Sequence, residues 1–118
     1  MKNIDSLKNT SQFKEVYENG KSKANGLLVL YALYVGGEDQ KLGISVSKKV
    51  GNSVVRHRTT RLIRESFLKI RDELPKGYHF VVVARVYAAG KSFSDICGAL
   101  FSIAKKMELV SSCSEESL

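Results

Sequence analysis

Residues 53–74 constrain the fold more than any other part of this chain. At 100° per residue, Val55, Thr59, Leu62, Ile63, Phe67, Ile70 and Leu74 share one face of a helix. His57, Arg61, Arg64 and Arg71 lie opposite, with Arg56 and Arg58 on the two flanks. A helix from about Ser53 to Leu74 must therefore lay its apolar face on a larger surface and keep its cations in water. Pro75-Lys76-Gly77 stops it. Leu68 stands as an apolar exception inside the basic stripe.

That larger surface is a sheet. Leu27 to Val35 is short, β-rich and apolar at nearly every position, which predicts an interior strand covered on both faces. Gly36-Gly37-Glu38-Asp39 predicts a turn. Leu42 to Ser47 alternates: Leu42, Ile44 and Val46 face the core, and Gly43, Ser45 and Ser47 face the other way. That second face is either plain solvent-exposed surface or a low floor on which a ligand can lie. Tyr78 to Arg85 predicts a buried strand. Residues 1–8 are polar and expected to be loose. Asn9 or Thr10 can cap a first helix over Ser11 to Asn19, with Phe13, Val16 and Tyr17 on one face and Gly20 as a left-handed stop. Ser92-Phe93-Ser94-Asp95 opens a last helix that packs through Ile96, Leu100, Ile103 and Met107. A short extra strand is possible around Lys21–Ala24. The order α-β-β(-β)-α-β-α is an α+β class, a small α/β sandwich. With 118 residues, one domain over 1–110 is expected, followed by a Ser/Glu-rich disordered tail over 111–118.

Charge narrows the function. Residues 41–71 hold nine Lys and Arg against Glu65 alone, a balance of +8, while the whole chain carries +7. The charge is concentrated, and a pI near 9.5 points to a polyanionic partner, nucleic acid before membrane. The helix stripe is arginine, whose planar fork binds phosphate bidentately, and acidic i+4 partners are nearly absent. Lys48 and Lys49 enter just ahead of it. Phe13, Tyr17 and Tyr31 are either core or a stacking platform for unpaired bases. Cys97 and Cys113 have no metal-type spacing, no apolar run reaches membrane-spanning length, and Met1 to Asp5 is no signal peptide. A cytoplasmic protein is expected.

Catalysis by the chain itself is not expected. His57 lies among arginines and His79 opens a strand. No carboxylate pair, Ser/His/Asp order, Cys/His cluster or phosphate loop is present, so no metal site is expected in the protein.

Val46 to Glu65, with Arg56-His57-Arg58, two residues, then Arg61-Leu62-Ile63-Arg64, resembles the hallmark of the protein subunit of bacterial ribonuclease P. Phe13-Lys14-Glu15-Val16-Tyr17 followed by Gly20, Ser22 with Ala24-Asn25, and Val29-Leu30-Tyr31 extend the resemblance from Ser11 to about Met107. It implies a fold like the second domain of ribosomal protein S5, with a left-handed β-α-β crossover, against the usual right-handed rule. It implies an accessory subunit that joins a catalytic RNA to remove the 5′ leader of precursor tRNA. The RNA would hold the catalytic Mg²⁺, with no organic cofactor. By position, Arg56, His57, Arg58, Arg61, Arg64, Lys48 and Lys49 would contact the RNA subunit. Phe13, Tyr17, Tyr31, Ser45 and Ser47 would hold the single-stranded leader. The protein alone would be monomeric. Departures from the family pattern are His57 for the usual Asn, Thr60 for a common Lys, Tyr17 for a common Phe, and an amino-terminal arm with only Lys2 and Lys8.

Two other classes are weighed against this. One is a free-standing RNA-binding or chaperone protein of the same fold. The other is a DNA-binding regulator with the Arg helix in a major groove, against which the preceding strand argues.

Overall fold

The computed structural model describes residues 5–7 and 9–109. The predicted tail over 111–118, with Cys113, lies outside the described residues, as do Lys2 and Lys8. The elements run β1 (Asp5–Ser6), α1 (Thr10–Asn19), β2 (Lys21–Ala24), β3 (Leu28–Tyr34), β4 (Gln40–Ser45), α2 (Ser53–Ile70), β5 (Tyr78–Ala84) and α3 (Phe93–Lys106). The strands form one five-stranded sheet in the order β1-β4-β5-β3-β2. β4 and β5 are adjacent and parallel, joined by α2, and β3 pairs antiparallel with both β5 and β2.

Side-chain alternation sorts the sheet into two faces. Leu28, Leu30, Ala32, Leu42, Phe80, Val82 and Ala84 point to one side, where Ile63, Phe67 and Ile70 of α2 and Ile96, Leu100, Ile103 and Ala104 of α3 meet them. Phe67 and Phe80 are fully buried with ring centroids 5.4 Å apart. Burial of each such side chain contributes roughly 1.5–3 kcal/mol. On the other side Val16 of α1 packs on Val81, with Leu7, Phe13, Tyr31, Leu33 and Val83 around it. Helices thus cover both faces of β3 and β5, which is why those strands are apolar at nearly every position.

The predicted core faces hold, and the capping box forms: Asp95 N–H donates to Ser92 Oγ at 3.1 Å and Ser92 N–H to Asp95 Oδ2 at 3.3 Å. Four expectations are corrected. The first eight residues are not uniformly loose, because Asp5–Ser6 pair in parallel with Lys41–Leu42 and Leu7 is buried. Gly20 is not left-handed: its φ is −85° and the chain leaves α1 straight into β2. Glycine is required there for space, since a Cβ would sit 2.7 Å from the Val16 carbonyl oxygen and 2.8 Å from that of Ala32.

α2 ends at Ile70 rather than Leu74, and Arg71–Glu73 tighten into a 3-10 turn. Buried Gln40 explains how that end is finished: its side-chain nitrogen reaches the carbonyls of Arg71, Leu74 and Pro75 at 3.1–3.2 Å. Arg71 is accordingly half-buried beyond the helix rather than on the open stripe. The fourth correction concerns Gly43 and belongs to the site below. Leu68 is half-buried.

Candidate nucleic-acid interface

α2 is built to hold one face out. Asn52 caps it, its side-chain oxygen accepting from Val55 N–H at 3.0 Å. Gly51 lets the preceding turn come close, because a Cβ there would lie 2.8 Å from Val55 side-chain carbons. Thr59, Thr60 and Ser66 donate their hydroxyls to the carbonyls four residues back, which satisfies these polar groups on or beside the packed face. With Thr59, Ile63, Phe67 and Ile70 buried, the 3.6-residue repeat leaves His57, Arg58, Arg61 and Arg64 exposed. Lys48 and Lys49 are exposed in the turn ahead of them, held by Val50 N–H donating to the Ser47 carbonyl at 3.0 Å.

The cations are not equivalent. Arg61 Nε reaches Glu65 at 3.2 Å, an exposed i,i+4 pair of the kind that contributes only a few tenths of a kcal/mol. Arg56 is half-buried and donates Nε–H to the Gly51 carbonyl at 3.2 Å, so it braces the turn. Arg58 donates to the Lys91 carbonyl at 3.3 Å. Arg64 makes no ion pair with a described residue, and it borders a hollow of about 150 Å³ shared with Thr60, Phe13 and Gly43. The basic helix face therefore continues toward the α1 side of the sheet through Thr60 and Arg64.

On that side the aromatic residues form a connected row. Phe13 and Tyr17 have centroids 6.4 Å apart, and Tyr17 meets Tyr31 edge-on at 4.8 Å. Tyr17 is 39% exposed, while Phe13 and Tyr31 are half-buried. Ser45 is half-buried on the same side of β4 as Gly43, and Ser47, just beyond the strand, is exposed. Gly43 itself is not an open floor, which corrects the sequence reading. The Phe13 ring lies on it, and a Cβ would come 2.6 Å from Phe13 Cζ. Phe13 thus fills the space that the missing side chain leaves. The row runs from Phe13, packed on Gly43, through the exposed ring of Tyr17 to half-buried Tyr31.

His79, near the start of β5, also faces this side. It pairs in register with Lys41 on this face, and its buried Nδ1 has no hydrogen-bond partner among the described residues. Burial pushes its pKa below 6.5 and Lys41 adds to this, against weaker opposite pulls from Glu15 and Asp39. Its even spacing with Val81 and Val83 was the available signal. Among the described residues no group of three or more His, Cys, Asp or Glu side chains converges, and no helix is long and apolar enough to cross a membrane.

The sequence profile of the ribonuclease P family matches residues 1–108. The chain belongs to the ribonuclease P protein family. It is 51% identical over 109 residues to the ribonuclease P protein component of Lachnoclostridium phytofermentans, covering 92% of this chain and 93% of that one. It is 39% identical to that of Alkaliphilus oremlandii over 95% of this chain and 98% of the relative. The solved Staphylococcus aureus RNase P protein superposes with a TM-score of 0.82 at 30% identity, over 92% of this chain and all of that one. The Thermotoga maritima protein superposes with a TM-score of 0.78 at 26% identity, over 86% and 96%. A ribonuclease P protein is an accessory subunit of an endoribonuclease that processes the 5′ end of tRNA, and it partners the ribonuclease P RNA.

Within this ribonuclease P protein the fold brings Lys48, Lys49, His57, Arg58, Arg61 and Arg64 together on one end and flank of α2. Arg56 beside them is half-buried and also braces the turn at Gly51. Asn25 is a residue whose role composition alone did not disclose. Its side chain accepts from Leu27 and Leu28 N–H and donates to the Ala99 carbonyl, all at 3.0 Å, fastening the β2–β3 turn to α3.

Proposed function

We propose that this subunit grips two stretches of RNA with its two faces. The exposed side of α2, with Lys48 and Lys49 ahead of it, binds phosphates of the RNA subunit. The row Phe13, Tyr17, Tyr31, with Ser45 and Ser47 beside it, holds the single-stranded 5′ leader of precursor tRNA. The observation that carries the reading is the open flank of α2. His57, Arg58, Arg61 and Arg64 are exposed on it with Glu65 as their one acidic neighbour along the helix. Exposed guanidinium groups on a rigid helix, with few acids beside them, are suited to phosphate by geometry and charge.

The chemistry of these groups also divides the labour. Guanidinium, ammonium and aromatic side chains bind, orient and neutralise; they neither hold Mg²⁺ nor activate water. The catalytic Mg²⁺ is therefore assigned to the RNA subunit, and the protein acts through binding energy. Neutralised phosphates near the leader would let the RNA keep its metals at lower Mg²⁺. The protein works as a monomer in the cytoplasm in this reading.

The test uses Arg64, which has no ion pair to lose among the described residues. Arg64→Ala should weaken RNA-subunit binding and reduce the slope of log affinity against log salt by about one unit. An unchanged slope with a lower thermal midpoint would make the stripe a structural face. In parallel, RNA-free protein should leave precursor tRNA uncut at any Mg²⁺ concentration, and adding it to the RNA should lower the Mg²⁺ requirement. Specific leader removal by the protein alone would overturn the division of labour.

A further inference from the structure

Three of the most exposed apolar side chains gather at one end of the molecule. Val54 is 74% exposed, Tyr87 71% and Val86 52%. β4 and β5 run parallel with Ser45 opposite Val83, so both leave the sheet at the same end. There β4 passes into Ser47, Lys48 and Lys49, and β5 into Arg85, Val86 and Tyr87. Val54 lies one helical turn before Arg58, on the same flank of α2. Arg58 in turn donates to the Lys91 carbonyl, which ties α2 to the loop that carries Tyr87.

Single exposed apolar residues are ordinary on any surface. This group differs in its rigidity and its neighbours. Val86–Ala88 form a 3-10 turn, with Ala88 N–H donating to the Arg85 carbonyl at 2.9 Å and Ala88 itself buried. Arg85 is pinned twice, its N–H to the Leu27 carbonyl at 2.8 Å and its guanidinium to the Asn25 carbonyl at 2.9 Å. Gly90, at φ +78°, turns the chain back toward Lys91. The ring of Tyr87 is thus held out on a fixed turn. On the segments that meet at this end Lys48, Lys49, Arg58, Arg85 and Lys91 are all exposed, and neither 46–64 nor 84–94 contains an acid. Asp95, the next acid along, is taken up by the capping box of α3.

An aromatic ring presented rigidly among cations, continuous with a phosphate-binding helix, suits an unpaired nucleotide: the ring stacks on the base while the cations meet its phosphates. We infer that Tyr87, flanked by Val54 and Val86, is a stacking platform for an unpaired base of the RNA subunit. The Arg58–Lys91 link places the loop beside the Arg helix, and this favours the RNA subunit over the leader as occupant. The inference rests on the reading that α2 binds that RNA.

The experiment measures affinity of the full chain for the isolated RNA subunit, without tRNA, at several salt concentrations. Tyr87→Ala should weaken binding about tenfold, and Tyr87→Phe should retain it, since the plane and not the hydroxyl is used. The salt slope should be that of the wild type, because no charge is removed. Thermal midpoints should match, as for an exposed site. Wild-type affinity in Tyr87→Ala, with Arg64→Ala still defective, would overturn this inference and leave the Arg helix reading intact. A Tyr87→Ala defect seen only in holoenzyme binding of leader-bearing precursor would overturn it in favour of the leader. Failure of wild-type protein to bind the RNA would remove both.

Discussion

The two faces of this protein use different physics to present their groups. On α2, Arg61 and Arg64 owe their exposure only to a buried opposite face: once Ile63, Phe67 and Ile70 are buried, helical periodicity alone puts these two in water. Under α1 the same sequence logic fails, because the position of each ring depends on a residue far away. Phe13 lies on Gly43, Tyr17 on Tyr31, and α1 as a whole on a glycine that abuts β3. The lesson is that an exposed charge can be assigned from its own helix, while an aromatic beside a sheet is divided between packing and binding by its neighbours.

The division can be broken most forcefully at Gly20. An added methyl would meet two main-chain carbonyl oxygens, at 2.7 and 2.8 Å, and neither can move without moving α1 or β3. Gly20→Ala should destabilise the protein by roughly 2–3 kcal/mol, read by chemical denaturation, and should impair leader binding. The folded fraction should bind the RNA subunit as the wild type does. An unchanged denaturation midpoint would show that the α1 side tolerates what its geometry forbids.

Next in size is the contrast between Phe13 and Tyr17 in the aromatic row. Phe13→Ala should cost roughly 1–3 kcal/mol of precursor affinity and also lower stability, because the ring fills the space over Gly43. Tyr17→Ala should cost affinity for leader-bearing precursor with stability changed by less than about 0.5 kcal/mol. Mature tRNA, lacking a leader, should bind both variants nearly as it binds the wild type. Equal losses for precursor and mature tRNA would mean that the row makes general contacts or only packs.

On α2 the sharper comparison is Arg61 with Arg64. Arg61 is already partly neutralised by Glu65, so Arg61→Ala should weaken RNA binding less than Arg64→Ala. Both should leave stability within about 0.5 kcal/mol. Removing the acid instead, Glu65→Gln, should raise affinity and steepen the salt dependence. If Arg61→Ala proves the more damaging, the pair is positioning Arg61 rather than masking it.

The smallest effect is the titration of His79. Its folded pKa lies below the ordinary 6.5, chiefly through burial, so the unfolded chain takes up the proton first. Stability from this group is full above that ordinary value. It declines as pH falls from there toward the lower folded value, and changes no further beneath it. His79→Gln should flatten the wild-type loss of stability measured from about pH 7 to about pH 5. Parallel pH profiles for the two proteins would show that the ring is not the source.

Much of the architecture was legible because it rests on local periodicity. The apolar run of β3, the short β2 and the capping box at Ser92 formed where the pattern put them, while the alternating strand expected over 42–47 lies two residues earlier, at Gln40–Ser45. Two misreadings share a cause. Gly20 was assigned a backbone conformation and Gly43 an open surface, yet both are glycine because a distant segment occupies the place of a side chain. The motif marks Arg56 as an RNA contact, and its hydrogen bond to Gly51 is a further role that only the folded turn discloses.

By itself, then, the sequence determined the order of elements from the first helix onward, the core-packing face of the later helices, the concentration of positive charge on α2, and through its motif the family. These follow from spacing and charge within single segments. Tertiary structure alone decided that Asp5–Ser6 join the sheet, that Gln40 finishes the end of α2, that Phe13 packs on Gly43, and that Arg58 reaches the loop that carries Tyr87. Each of those depends on contact between residues distant in the chain. Such contacts are set by steric fit and hydrogen-bond partners that no local pattern records.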